Sequence, residues 1–168
     1  MNASSAFDEL SQILTRESVQ CDLLAQSIVQ EREAITCMAL QKFVSINQSR
    51  IAILECLHSL KEDLDVVLDR LAVAYHVPEA GRTLTEILPL TGSPQAGLIL
   101  EQYERLADKV RAVKHDIAAN QLLIKNVQSF LIRAMEVHRQ PPPEDDLYTV
   151  SGSRSKGDMP AALIKRQG

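Results

Sequence analysis

The chain has 168 residues, 45% of them hydrophobic and 24% charged, with a formal net charge of -4. This length suffices for one domain with a real core, and the charge excludes a general electrostatic attraction to nucleic acid. Only 4% of the residues are aromatic and there is no Trp, which is typical of helical bundles rather than of sheets.

The sequence offers no sign of a membrane or export segment. No stretch reaches the roughly 18 uninterrupted apolar residues of a membrane-spanning helix. The opening MNASSAFDEL has neither a basic nor an apolar region, so we expect no secretory signal and a cytoplasmic location. Cys21, Cys37 and Cys56 form no CxxC pair. We expect three reduced cysteines that pack as small hydrophobic residues, with no metal site and no cofactor.

The first part of the sequence predicts long helices. Between Met1 and Val77 there is neither Gly nor Pro, which favours helix over strands and turns. Residues recur at alternating spacings of 3 and 4, which places them in lanes along one stripe of a helix. The first lane comprises Phe7, Leu10, Leu14, Glu17, Cys21, Leu24, Ile28, Glu31 and Ile35. The second lane comprises Ala39, Phe43, Ile46, Arg50, Ile53, Leu57, Leu60, Leu64, Val67, Leu71 and Ala74.

These two lanes do not share a phase, because the first would continue at residue 38 whereas the second begins at Ala39. One interpretation is a bend near Thr36 to Met38 that makes a helical hairpin, with Thr36 as a cap. The other is a single long helix with a stutter. The hairpin is favoured because it buries both lanes within one molecule.

A connector at residues 78–94, with three prolines and two glycines, leads to a third helix. Within it the sequence TLTE at 83–86 has capping-box spacing and predicts one short helix. Ser93 and Pro94 suit the N-cap and first position of the third helix, which should end at about residue 139, before three consecutive prolines. Its lane comprises Ile99, Tyr103, Leu106, Val110, Val113, Ile117, Asn120, Ile124, Val127, Leu131, Ala134 and His138.

The predicted fold is therefore all-α: an elongated antiparallel helical bundle or coiled coil of three long helices plus one short connector helix. We place the bundle domain at residues 1–140. Residues 141–168 have no periodic lane and are rich in Ser, Gly and charged residues, which predicts a disordered, flexible C-terminal tail.

Four polar residues interrupt the lanes: Glu17 and Glu31 on the first, Arg50 on the second and Asn120 on the third. A polar residue at a core position sets helix register at some cost in stability. Alternatively, Glu17 and Glu31 lie at the edge of the stripe, with buried stems and solvated carboxylates. Arg50 would meet Glu31 if the hairpin turned near residue 40.

The third helix becomes more apolar toward its end. From Leu122 to Val137 a second apolar stripe lies beside the lane. Either the bundle covers this wide stripe on two sides, or part of it is open to a partner helix.

Catalytic signatures are missing from the sequence. It contains no Gly-rich phosphate loop, no GxSxG, no HExxH and no His pair at metal-ligand spacing. Each of these motifs marks a particular catalytic or phosphate-binding site. Because none of them occurs, we predict that the protein is not an enzyme.

Four stretches occur in a recognisable order: LSQILTRESVQCDLLAQSIVQEREAI, RTLTEIL, NQLLI and LYTVSG. Over about residues 7–152 the chain resembles the FlgN family of flagellar export chaperones. It departs from the family pattern in its triple proline and in the segment after Gly157.

The resemblance implies a cytosolic, non-enzymatic type III export chaperone. It would bind the C-terminal helices of the first and third hook-associated proteins, which form the hook–filament junction, prevent their premature assembly and deliver them to the flagellar export gate. No nucleic acid and no membrane insertion are expected, and a homodimer is allowed. The alternative is a structural coiled-coil protein that self-associates through its heptad lanes. Client contacts implied by the resemblance are Leu123, Ile124, Val127, Phe130, Leu131, Met135, Leu147 and Tyr148.

Overall fold

The computed structural model of the chain describes residues 3–78 and 82–139. Four helices follow one another in this part of the chain: α1 (Ala3–Thr36), α2 (Leu40–Ala74), α3 (Leu84–Leu90) and α4 (Pro94–Arg139). The predicted all-α fold, with three long helices and one short connector helix, is confirmed. The predicted tail at 141–168 lies outside the described residues, so the domain boundary at residue 140 stays a prediction.

The hairpin interpretation of α1 and α2 is correct, and the stuttered single helix is wrong. The chain turns over residues 37–39, where Met38 adopts a left-handed conformation with a φ of 54°. The prediction that Thr36 caps the turn is also wrong. Its hydroxyl donates back to the carbonyl of Arg32 within α1, at 2.8 Å, and Ala39 holds the N-cap position of α2 without a side-chain hydrogen bond.

The connector helix α3 begins after Thr83, as the capping-box spacing predicts. The reciprocal side-chain-to-backbone bonds of a capping box do not form, because the Thr83 hydroxyl donates to the carboxylate of Glu86 at 3.0 Å instead. Ile87 and Leu88 of this helix are fully buried. Their burial fixes α3 against the core and sets the point from which α4 starts.

At the start of α4, the hydroxyl oxygen of Ser93 accepts the backbone N–H of Gln95 at 3.2 Å, the expected N-cap contact. The part of α4 that packs on α1 runs parallel to it, so α2 is antiparallel to both. The contacts that show this direction are, in chain order, Ser11–Gln102 at 3.1 Å, Asp22–Lys109 at 2.7 Å and Ile28–Asn120 at 2.9 Å.

The core lies along the predicted lanes. A large cluster joins α1, α2, α3 and α4, and a smaller one centres on Leu24, Ile28 and Val113. The burial along α2 is uneven. Ile46 is buried in its first half, whereas the other five buried residues of this helix lie between Leu60 and Ala72. The first half of α2 therefore leaves much of its apolar surface exposed.

The chain divides into two compact units, residues 1–126 and 127–168. The first unit contains α1, α2, α3 and α4 as far as Asn126, together with the core described above. Of the second unit, the structure describes the last stretch of α4, residues 127–139.

Candidate functional site

Asn120 occupies a core position of α4 and is 1% exposed. Its side-chain amide donates to the Glu31 carboxylate at 2.8 Å and to the carbonyl of Ile28 at 2.9 Å. Its own side-chain oxygen accepts a hydrogen bond from Nε of Arg32 at 2.9 Å. All three partners lie on α1, so these bonds favour one position of α4 along that helix. A buried amide with satisfied partners specifies a single arrangement, since any slip leaves polar atoms unpaired.

Glu31 connects three helices through its two oxygens. Oε2 receives the amide of Asn120 from α4, and Oε1 receives Nη1 of Arg50 from α2 at 3.0 Å. The Glu31 and Arg50 side chains are 7% and 14% exposed. Arg50 also donates from Nε to the hydroxyl of Ser27 at 3.1 Å. We call these four residues, Ser27, Glu31, Arg50 and Asn120, the polar cluster.

The Glu31 carboxyl of the polar cluster is held in its ionised form. Burial acts to raise the pKa of the Glu31 carboxyl, but the hydrogen bonds from Arg50 and Asn120 and the attraction of the Arg50 charge outweigh it. The net result is a pKa below the ordinary value of 4.5. Glu31 is therefore a carboxylate at neutral pH, which is the form that accepts both hydrogen bonds.

Glu17, the remaining polar lane residue, lies apart from the polar cluster. It is half-buried and makes no hydrogen bond or ion pair with another described residue. Burial, followed by repulsion from Asp65, raises the pKa of its carboxyl. The interpretation that these glutamates lie at the edge of the stripe therefore fits Glu17. It is wrong for Glu31, which is 6% exposed.

The cysteines differ in their surroundings. Cys21 is buried on the first lane, as predicted, whereas Cys37 is exposed in the hairpin turn and does not pack as a small hydrophobic residue. Burial, reinforced by the charges of Glu17 and Asp22, raises the pKa of the Cys21 thiol against the opposing effect of Lys109. A buried thiol with a raised pKa is inert.

A groove of about 340 Å³ lies between α1 and α4. The groove has two cations. Lys109 pairs with Asp22 at 2.7 Å and also donates to the hydroxyl of Ser18 at 2.8 Å, and Arg105 pairs with Glu101 at 3.2 Å. Among the described residues there is no cluster of three potential metal ligands, and none of their helices has the length and hydropathy of a membrane span. The groove residues are Leu14, Thr15, Ser18, Val19, Gln102, Arg105 and Lys109.

The last described stretch of α4 exposes large apolar side chains. Phe130 is 65% exposed, Leu131 46% and Met135 60%, while Val127 is half-buried. Every residue from 128 to 136 is exposed. Three of the predicted client contacts, Phe130, Leu131 and Met135, are therefore exposed side chains of this stretch.

Other predicted client contacts are placed differently. Leu123 and Ile124 belong to the first unit and are half-buried. Leu147 and Tyr148 lie outside the described residues. The predicted set omitted Ile132, which is 56% exposed. Like Phe130 and Met135 it lies off the main lane, and the widening of the apolar stripe was the signal that could have found it.

One comparison with known proteins identifies a family. A family model described as FlgN protein matches residues 1–156 of the chain. No curated protein matches. No solved structure matches either.

Proposed function

The chain belongs to the FlgN family of flagellar export chaperones, and we propose that it binds the C-terminal helices of the hook-associated proteins of the hook–filament junction. It acts in the cytoplasm, where it keeps its clients from assembling early and delivers them to the flagellar export gate. Its clients are the first and third hook-associated proteins. The observation that carries this proposal is the exposed apolar end of α4.

The client site proposed in the second unit consists of Val127, Phe130, Leu131, Ile132 and Met135. Four of these five side chains are exposed, and exposed apolar side chains in such number on a helix mark a surface that binds a partner rather than water. Phe130 supplies the large rigid contact expected of an energetic hot spot, and Met135 is a flexible side chain that adapts to different partners.

The width of this surface indicates how a client packs. At 100° per residue, these five side chains spread over roughly 200° of the helix circumference. A stripe that one neighbouring helix covers is only about 100° wide. We infer that the client packs amphipathic helical segments against α4 from two sides, in the helix-in-groove manner.

Charge plays a smaller part in this contact. From 127 to 136 the helix carries Arg133 and Glu136, which are opposite in sign. Binding should therefore depend mainly on apolar burial and only weakly on salt.

Self-association through the heptad lanes is the competing function. Lanes one and two are packed against each other within this chain, and their residues form the core clusters. Those lanes are therefore occupied, and a coiled coil through them would require the hairpin to open.

Co-purification of the full-length chain with each junction protein tests the proposal. We expect capture of the first and third hook-associated proteins, weakened by Phe130→Asp and Leu131→Asp while the helical circular dichroism signal persists. Removal of residues 141–168 tests whether Leu147 and Tyr148 take part. A chain that captures no junction protein would refute the function, and capture unaffected by the two substitutions would refute the site.

A further inference from the structure

An apolar stripe on the first half of α2 belongs to none of the three lanes. Its residues follow the spacing 4-3-4-3, and each comes one residue after a member of the second lane. Four of them are large and exposed: Leu40 by 72%, Val44 by 46%, Ile51 by 56% and Leu54 by 48%. The fifth position is the half-buried Asn47. We call these five residues the α2 seam.

The surroundings of the α2 seam are depleted in charge. Residues 40–59 contain three charged side chains, and one of them, Arg50, is bound to Glu31. Residues 61–70 of the same helix contain six. A solvated helix face is normally charged throughout, as the second stretch is, whereas the centre of a protein interface is depleted in charge. The α2 seam has the character of an interface.

The spacing indicates that the partner is a helix. Alternation of 3 and 4 keeps side chains on a seam that a second helix follows by knobs-into-holes packing. In heptad terms Val44 and Ile51 take the a positions, and Leu40, Asn47 and Leu54 take the d positions. β-Branched residues at a with leucine at d favour two parallel strands. The α2 seam therefore has the composition that pairs with a copy of itself.

From these observations we propose that the α2 seam is a dimer interface, in which α2 of a second copy of this chain packs in parallel. Each residue then meets its own counterpart.

The interface is short, so the dimer is weak. Fifteen residues of helix span about 22 Å. A contact of that length buries less than the roughly 800 Å² on each partner that a stable interface requires. Because α2 is already folded within its own hairpin, pairing does not incur the cost of forming an isolated helix. The dimer should form at high protein concentration and dissociate on dilution.

Sedimentation equilibrium of the full chain, from about 1 µM to about 500 µM, covers the range in which small interfaces associate. We expect the apparent mass to rise from monomer toward dimer, and Ile51→Lys to abolish the rise. Val66→Lys is the matched control, because Val66 lies on the same helix with the same 56% exposure but outside the α2 seam. Circular dichroism of both variants checks that the fold is retained.

A constant monomer mass for the unmodified chain overturns the proposal, as does a dimer that Ile51→Lys leaves intact or that Val66→Lys weakens equally. A monomer whose capture of a junction protein is weakened by Ile51→Lys overturns it too, because the α2 seam would then belong to the client. For direction, Leu40→Cys in a Cys37→Ser background should form a disulfide-linked dimer on oxidation. A dimer without that crosslink refutes the parallel arrangement.

Discussion

The side-chain amide of Asn120 on α4 donates to the carboxylate of Glu31 on α1 at 2.8 Å, in a position where both residues are buried. The other oxygen of the same carboxylate accepts from Arg50 on α2. A single carboxylate therefore couples the three long helices. Since an ionised group inside a core is costly unless every partner is in place, this contact favours one register of the bundle.

Asn120→Ala should lower the free energy of unfolding by about 2–4 kcal/mol, because two buried acceptors, Glu31 and the carbonyl of Ile28, each lose a donor. Urea denaturation followed by circular dichroism measures the loss. Asn126→Ala is the control, because Asn126 lies on the same helix and is exposed. It should change stability by less than about 0.5 kcal/mol. Equal effects of the two substitutions would contradict the role assigned to Asn120.

Arg50→Ala should destabilise the fold by about 3–5 kcal/mol, since it leaves the Glu31 carboxylate buried and without its cation. Glu31→Ala in the Arg50→Ala background should cost much less than Glu31→Ala alone. The double-mutant cycle measured by denaturation gives this coupling directly. Additive losses would mean that the two side chains act independently.

Glu17→Gln should stabilise the protein at neutral pH. The pKa of Glu17 is raised in the folded state, so folding is penalised whenever the carboxyl is ionised, and the neutral amide removes the penalty. The penalty is full above the raised pKa and fades as the pH falls toward the ordinary value of 4.5. Unfolding temperatures of the two proteins should therefore differ at pH 7 and converge in acid. A constant difference across this range would contradict the assignment.

The pH dependence of Glu31 has the opposite sign. Its pKa is lowered in the folded state, so its contribution to stability is complete above the ordinary value of 4.5 and is lost as the pH falls through the lowered pKa. We expect Glu31→Gln to be destabilising at pH 7, with a difference from the unmodified protein that shrinks in acid. A difference that grew as the pH fell would contradict this sign.

Met38→Gly should stabilise the hairpin turn by about 0.5–1 kcal/mol. Left-handed backbone costs a side-chain-bearing residue about 1–2 kcal/mol, and the greater flexibility of glycine in the unfolded chain returns part of that gain. Cys37→Gly at the adjacent position, whose φ is not positive, should destabilise instead. Urea denaturation of the two variants measures both effects. A loss of stability in Met38→Gly would contradict the backbone strain assigned to Met38.

Periodicity was enough to predict the helices and the lanes, whereas the meeting of Arg50 with Glu31 was predicted only on the condition that the hairpin turned near residue 40. That meeting follows from the hairpin, because a turn near residue 40 brings positions on either side of it together. The partners of Asn120 could not be predicted in this way. They depend on how α3 sets the starting point of α4 against α1, and heptad spacing does not encode that offset.

The exposed surfaces show a second limit of sequence reasoning. The apolar stripe around Phe130 was visible in the sequence, but spacing does not say whether a neighbouring helix covers it. The α2 seam was visible too, one residue out of phase with the second lane. The second lane already accounts for the helix, and spacing does not show which of the two stripes is exposed, because exposure is a property of the packed chain.

The central claim is that the apolar end of α4 binds the client, and isothermal titration of a junction protein into the full-length chain tests it most directly. Phe130→Asp should weaken binding by more than about 2 kcal/mol, or thirtyfold, as the loss of a hot-spot aromatic does. Leu98→Asp is the matched control, because Leu98 lies earlier on the same helix with the same 65% exposure, and it should leave the affinity unchanged. Equal affinities for Phe130→Asp and the unmodified chain would contradict the claim.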